Sequence, residues 1–326
     1  MKLLFVTSNR IGDAVLSTGI LGHLVDQHPG LAVTVACGPE SAPLFEEVPG
    51  LDRLIPLPKQ TWKRHWLGLW AGCVGTYWDL VVDIRRSIIG WSVLHRRSMT
   101  VPRDSRNLHR VRLLGSMLGL GDAPPAPRLW TGPANRARAA ETIPDKGALA
   151  LGPTANWRGK IWPADHFVDL AKRLTGAGGP LEGQPVAVFA APHEARDVKE
   201  VVEGLRDRTV IDLTGRTGLL DAAACLARCN LYLGNDSGLM HLAAAAGTPT
   251  LGLFGPSRPE LYAPWGDKTA VVRTEESYES LMARTGPDGA VRDTLMRGLT
   301  VSRTAAAAGA LLHRIAEAGE PNAHAG

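Results

Sequence analysis

Short apolar runs alternate with helical periodicity from the first residues onward. Leu3-Leu4-Phe5-Val6 is too short for a helix and suits a strand buried on both faces. A loop over Thr7–Gly12 leads to a helix starting near Asp13, with Ile20, Leu21, Leu24 and Val25 on one stripe and Pro29-Gly30 ending it. Leu31–Cys37 predicts a second strand and Asp79–Ile84 a third. Between Pro124 and Pro144 the texture turns Pro-rich, which predicts a linker and divides the chain into domains 1–143 and 144–326. The alternation then resumes. Strands are expected over Ala148–Leu151, Pro185–Ala190, Val210–Leu213, Leu231–Gly234 and Thr250–Phe254. Helices are expected from Pro163 to Thr175, then over Glu194–Leu205, Leu219–Arg228, Ser237–Ala246 and Ser302–Ala318. Strands alternating with helices predict an α/β fold of two Rossmann-like domains, with open, mostly parallel sheets facing a central cleft.

Composition narrows the class. A chain of 326 residues exceeds what one core usually serves, and 44% hydrophobic with 21% charged residues is ordinary for a globular protein. No apolar window reaches the roughly 18 residues of a membrane-spanning helix. The start, MKLLFVTSNRIGDAV, turns polar after a short apolar run and reads as a first strand, not a signal peptide. Cys37, Cys73, Cys225 and Cys229 form no CxxC pair, so buried reduced thiols in a cytoplasmic protein are expected and no structural zinc. The net charge of +4 is uneven. Residues 59–112 hold eleven Lys and Arg against Asp79, Asp83 and Asp104, a net of +8, which points to an anionic partner. Five of the nine tryptophans lie in 62–91. Trp62, Trp66, Trp70, Cys73 and Tyr77 share a helical face, either a helix packed on its own domain or one touching anionic lipid or glycolipid.

Three motifs carry candidate chemistry. R-I-G-D-A at Arg10–Ala14 lies after the first strand, where open α/β sheets bind ligands. Asp13 is there either a helix N-cap or a general base. G-P-T-A-N-W-R-G-K at Gly152–Lys160 fails as a Walker A loop because Ile161 stands where the Ser/Thr belongs. Arg158 and Lys160 beside a helix start form either a solvated basic loop or a diphosphate site, with Thr154 and Asn156 on the same loop as further candidate contacts. In L-Y-L-G-N-D-S-G-L-M-H, Ser237 and Gly238 offer backbone N–H groups at a helix start, next to Asp236 and near His241. GNDSG is not G-x-S-x-G, which removes a serine hydrolase, and no G-x-G-x-x-G follows either first strand, which argues against a dehydrogenase.

Gly234–Ser257, G-N-D-S-G-L-M-H-L-A-A-A-A-G-T-P-T-L-G-L-F-G-P-S, resembles the signature of glycosyltransferase family 9, the heptosyltransferases of lipopolysaccharide inner-core synthesis. R-I-G-D-A-V-L-S-T, G-K-I-W-P at Gly159–Pro163 and D-L-T-G-R-T-G-L-L at Asp212–Leu220 are similar in order and place, so the resemblance spans nearly the whole chain. It implies a GT-B fold with a last helix crossing back to the first domain, and inverting transfer without metal or cofactor. The implied donor is ADP-heptose or another nucleotide sugar. By the resemblance Asp13 is the base and Lys160 meets the donor phosphate. Asp236, Ser237, Gly238 and His241 hold the diphosphate and sugar, and Glu194 reaches the nucleoside, although Ala190-Ala191 replace the usual glycine pair. The implied acceptor is an anionic glycolipid, with Arg10, Arg85, Arg86, Arg96 and Arg97 as candidate contacts and peripheral contact with the inner membrane. Nucleic acid is not an expected partner. Rival readings are a nucleotide-sugar epimerase of the same fold, opposed by R-I-G-D, and a non-catalytic nucleotide-sugar or glycolipid-binding module, opposed by Asp13 with Lys160.

Overall fold

The computed structural model describes residues 1–59, 61, 64–102, 107–286 and 289–319. It divides into two compact units, Met1–Gly132 and Pro133–Gly326. The first unit runs β1 (Lys2–Val6), α1 (Ile11–Gln27), β2 (Ala32–Cys37), β3 (Leu51–Pro56), α2 (His65–Cys73), β4 (Trp78–Asp83), α3 (Ile89–Ser92), β5 (His95–Thr100) and α4 (Arg110–Ser116). Its strands are parallel in the order β3-β2-β1-β4-β5. Leu3, Leu4, Phe5 and Val6 of central β1 are wholly buried, as a strand covered on both faces requires. β3 and β5 escape the apolar pattern because both are edge strands. LDRLIP and HRRSMT carry charge, which keeps an open edge soluble.

Two local expectations are corrected in this unit. The first helix begins at Ile11, with Arg10 at the N-cap and no side-chain cap bond. Asp13 therefore sits inside the first turn and does not cap the helix. The tryptophan stripe does not form one helix to Tyr77, because the chain turns at Gly75-Thr76 to enter β4. α2 buries Leu69 and Cys73 and half-buries Trp66, while Trp70 and Tyr77 stay exposed. Trp62 lies outside the described residues.

The second unit runs α5 (Pro133–Thr142), β6 (Leu149–Gly152), α6 (Ala164–Thr175), β7 (Val186–Val188), α7 (Ala195–Gly204), β8 (Val210–Asp212), α8 (Leu219–Leu226), β9 (Leu231–Asn235), α9 (Gly238–Ala245), β10 (Thr250–Phe254), α10 (Pro259–Tyr262), β11 (Thr269–Arg273), α11 (Tyr278–Met282) and α12 (Val301–Gly319). Its parallel order is β11-β10-β9-β6-β7-β8. Numbered from its own first strand, each sheet follows the Rossmann order, reversing between β1 and β4 in one and between β6 and β9 in the other. The division falls before the expected 143/144 boundary, because α5 belongs to the second unit. Asn135 and Arg138 of α5 both donate to Asp221 of α8, at 2.7 Å from each side chain. Burial raises the Asp221 carboxyl, but these hydrogen bonds outweigh it and hold the group below its ordinary range. α12 packs on α6, β10 and β11 of its own unit, burying Ala305, Ala308 and Leu311.

Candidate functional site

In the first unit the candidates gather at the carboxyl ends of β1 and β4, around the point where strand order reverses. The β1–α1 loop is pinned by Ser41, whose Oγ donates to the Ser8 carbonyl at 2.9 Å, and by Gly38, where a side chain would strike Asn9. This fixes the entry to α1. Asp13 Oδ1 lies 3.8 Å from Arg110 Nε of α4, both groups about four-fifths shielded from solvent. Arg85 hydrogen-bonds Asn9 through its Nη1 and covers the Trp66 ring at 5.2 Å. Buried Asp83 orders the loop after β4, accepting from the Arg85 and Ser87 amides at 3.0 and 2.7 Å and from the Ser87 hydroxyl at 2.7 Å. Arg86 stands exposed in this loop with φ of 54°. Arg10 is exposed at the start of α1. Arg96 and Arg97 are not brought to Asp13. They lie near the start of β5, with Arg97 in register with Leu80, whereas the site lies beyond the Asp83–Thr100 end.

In the second unit a strand, a turn and a helix meet a basic loop. Lys160 Nζ donates to Asp236 Oδ2 at 2.5 Å, with Asp236 buried and Lys160 partly exposed. Asp236 ends the turn from β9, and Ser237 is the N-cap of α9 with no side-chain cap bond, so no cap side chain claims the first amides of the helix. His241 is buried one turn on, within α9. Thr154 is buried, while Asn156 and Arg158 are exposed on the loop. Glu194 closes a short 3-10 turn after β7, its Oε2 accepting from the Ala191 amide at 2.8 Å. This local bond fixes the carboxylate despite the missing glycine pair.

Several residues that shape the site carry no separate signal in the sequence. Asn235 is wholly buried. Its amide nitrogen donates to the Pro153 carbonyl at 2.9 Å and its oxygen accepts from the Trp162 amide at 3.0 Å, so one side chain holds both ends of the loop bearing Lys160. From outside, the Leu295 amide donates to the Gly159 carbonyl at 3.1 Å, and Trp162 Nε1 donates to the Leu299 carbonyl at 2.8 Å. Tyr232 lies along the sheet face, and its hydroxyl would be 2.0 and 2.2 Å from side chains placed at Gly152 and Gly234, so both strand ends must be glycine. Burial pushes its phenol far up, while the Ser237 hydroxyl pulls the other way. Among the described residues no group of three or more His, Cys, Asp and Glu is placed to hold a metal, and all four cysteines are free and buried.

An acidic side chain in a first helical turn beside Arg110, and in the other unit a cation held at an open helix N-terminus, suit proton abstraction and diphosphate binding respectively. Comparison with known proteins finds relatives in both sequence and fold. The lipooligosaccharide heptosyltransferase 2 of Haemophilus influenzae is 25% identical over 333 residues, covering 88% of this chain and 92% of that protein. Among solved structures, the glycosyl transferase family 9 protein of Veillonella parvula aligns with a TM-score of 0.78 at 22% identity, covering 96% of this chain and 97% of that one. The E. coli ADP-heptose lps heptosyltransferase II aligns at 0.73 and 22%, covering 97% and 100%. The folds of these neighbours are of GT-B type, as is that of this chain. The family model described as Glycosyltransferase family 9 (heptosyltransferase) matches residues 84–286, which run from the end of β4 in the first unit past α11 in the second. With more than half its length matched, the chain belongs to glycosyltransferase family 9, the heptosyltransferases, and is a glycosyltransferase.

Proposed function

We propose that the protein is an inverting, metal-independent heptosyltransferase that moves heptose from ADP-heptose to a lipopolysaccharide inner-core acceptor at the cytoplasmic side of the membrane. The observation that carries the donor half is Lys160, held by Asp236 at the open N-terminus of α9. The relatives whose names include heptosyltransferase support the sugar, and one of them is named for ADP-heptose.

Asp13 accepts the proton of the acceptor hydroxyl as its oxygen attacks the anomeric carbon from the face opposite the diphosphate. The bond from that carbon to the phosphate oxygen breaks, the configuration inverts, and ADP departs. Asp236 takes one proton of the Lys160 ammonium in a hydrogen bond, which leaves two to meet the charge growing on the phosphate oxygens, together with the first amides of α9. Ser237, Gly238 and His241 line this end of the donor, with Thr154, Asn156 and Arg158 on the facing loop and Glu194 toward the nucleoside. Arg110 steers Asp13 and, with Arg10, Arg85 and Arg86, offers positive charge to an anionic acceptor.

The test is Asp13→Asn with ADP-heptose and an inner-core acceptor. Transfer should fall by on the order of 10²-fold or more, the worth of a positioned base, while affinity for ADP survives. Wild-type turnover in the variant would remove Asp13 from the chemistry.

A further inference from the structure

The basic, tryptophan-rich stretch of the first unit is only partly used by the acceptor site. α2 and α3 lie side by side on one core, into which they send Leu69, Cys73, Ile89 and Val93. Their outer sides are equally apolar. Leu67 and Trp70 are neighbours at i, i+3 on α2, and Ile88 and Trp91 stand at the same spacing at α3. Trp70 Nε1 donates to the Ser92 carbonyl at 3.3 Å, which joins the two rows. The exposures are 67% for Leu67, 39% for Trp70, 65% for Ile88, 84% for Trp91 and 65% for Leu94. Leu67 and Trp70 of α2 and Trp91 of α3, with Ile88 and Leu94 flanking α3, expose large apolar side chains of the kind that mark a contact surface.

The rim is positive. Arg64 precedes α2, Arg86 stands in the loop before α3, and Arg96 is exposed on the adjoining strand β5, on the sheet face that α3 covers. Of the described acids, Asp83 is buried and committed to the amides of its own loop, and Asp79 accepts from the Lys2 amide at 2.7 Å, one charge against three arginines. Asp104 lies outside the described residues. Tryptophan and aliphatic side chains inside an arginine collar match a bilayer interface. The rings and chains enter the headgroup boundary, and the guanidinium groups meet lipid phosphates.

We infer that the outer face of α2 and α3 docks on an anionic phospholipid bilayer, with Trp91, Ile88 and Leu67 inserted and Arg64, Arg86 and Arg96 on the headgroups. The inference deepens the proposed function by naming the surface on which a lipid-anchored acceptor is met, but the docking rests on the patch itself.

The experiment is co-sedimentation of the full chain with phosphatidylglycerol-containing vesicles and with phosphatidylcholine vesicles, at low and high salt. Transfer to a water-soluble, delipidated inner-core acceptor is measured in parallel. The wild-type chain should partition onto the anionic vesicles, less so as salt rises. The triple variant Leu67→Ser, Ile88→Ser, Trp91→Ser should lose about 10²-fold in partitioning and keep its transfer to the soluble acceptor. In the otherwise native chain, phosphatidylglycerol with brominated acyl chains should quench tryptophan fluorescence, and Trp91→Phe should remove most of that quenching. Absence of vesicle binding at low salt would overturn the inference, as would equal binding by the triple variant. So would a wild-type dimer that the triple variant converts to monomers without any vesicle binding, which assigns the patch to a second copy of the chain. Lost docking with intact transfer leaves the proposed function standing. Intact docking with no transfer removes that function and leaves the membrane surface.

Discussion

Lys160 has one fixed partner and two remaining protons, and this arrangement sets what its loss should do. Lys160→Ala removes the cation that meets the diphosphate and leaves Asp236 buried without its counter-charge. Turnover and ADP affinity should both fall, with kcat/KM down by roughly 10²–10³-fold, measured by steady-state kinetics and calorimetric ADP titration. A change confined to acceptor KM would assign Lys160 to the other substrate. Asn235→Ala acts one step back from the chemistry. It deprives the Trp162 amide and the Pro153 carbonyl of buried partners, so urea unfolding should show a loss of about 2–4 kcal/mol, and donor KM should rise as the loop loosens. Asp13, Lys160 and Asp236 are legible in the sequence because each sits in a distinctive run at the end of a strand. Asn235 is not, because beside an Asp and before Ser-Gly it reads as an ordinary turn former. Its partners lie in a loop that only the parallel pairing of β6 with β9 brings alongside. Arg110 is hidden for the same reason, since α4 meets α1 only through the fold.

Among the elements, legibility follows burial. β1, β4, β6, β9 and β10 are apolar runs because neighbours cover them, whereas β3 and β5 are edges with charge. The edge strand β11 likewise lacks a fully covered apolar run, and its TAVVR is only partly buried. Helix α8 shows what spacing does not tell. Cys225 lies within it and Cys229 beyond its last residue, Leu226, and the structure leaves both as free thiols under cover. Burial pushes Cys229 up to about 12 and Cys225 to about 11, and Cys37 of β2 likewise to about 11. Raised values keep these thiols protonated through neutral and mildly alkaline pH, where the nucleophilic thiolate is scarce. The native protein should therefore resist iodoacetamide at mildly alkaline pH, and all four cysteines should label once denaturant is added. Mass spectrometry of the two samples decides it, and fast labelling of the native chain would mean that α8 opens readily.

At the scale of the molecule, both Rossmann-type sheets follow from the alternation of strands and helices, but the boundary between units does not follow from proline content. Pro133 opens a helix whose polar face looks like linker and whose Asn135 and Arg138 are committed to Asp221. That tie becomes visible only when α8 is in place. The proposed chemistry spreads its charges in the same way. Lys160 and the amides of α9 are asked to supply the neutralisation that a divalent ion gives in other transferases. Transfer by the purified protein should therefore persist in excess EDTA. A steep loss restored by magnesium or manganese would count against the mechanism.

The Lys160 loop is tied by Asn235 from the sheet side and by Leu295 and Leu299 from the other. All of these ties lie within the chain, so the entropy of ordering the loop is lost in folding and not when the nucleotide arrives. The loop is a prepared anvil, set in place by the fold before any nucleotide reaches it.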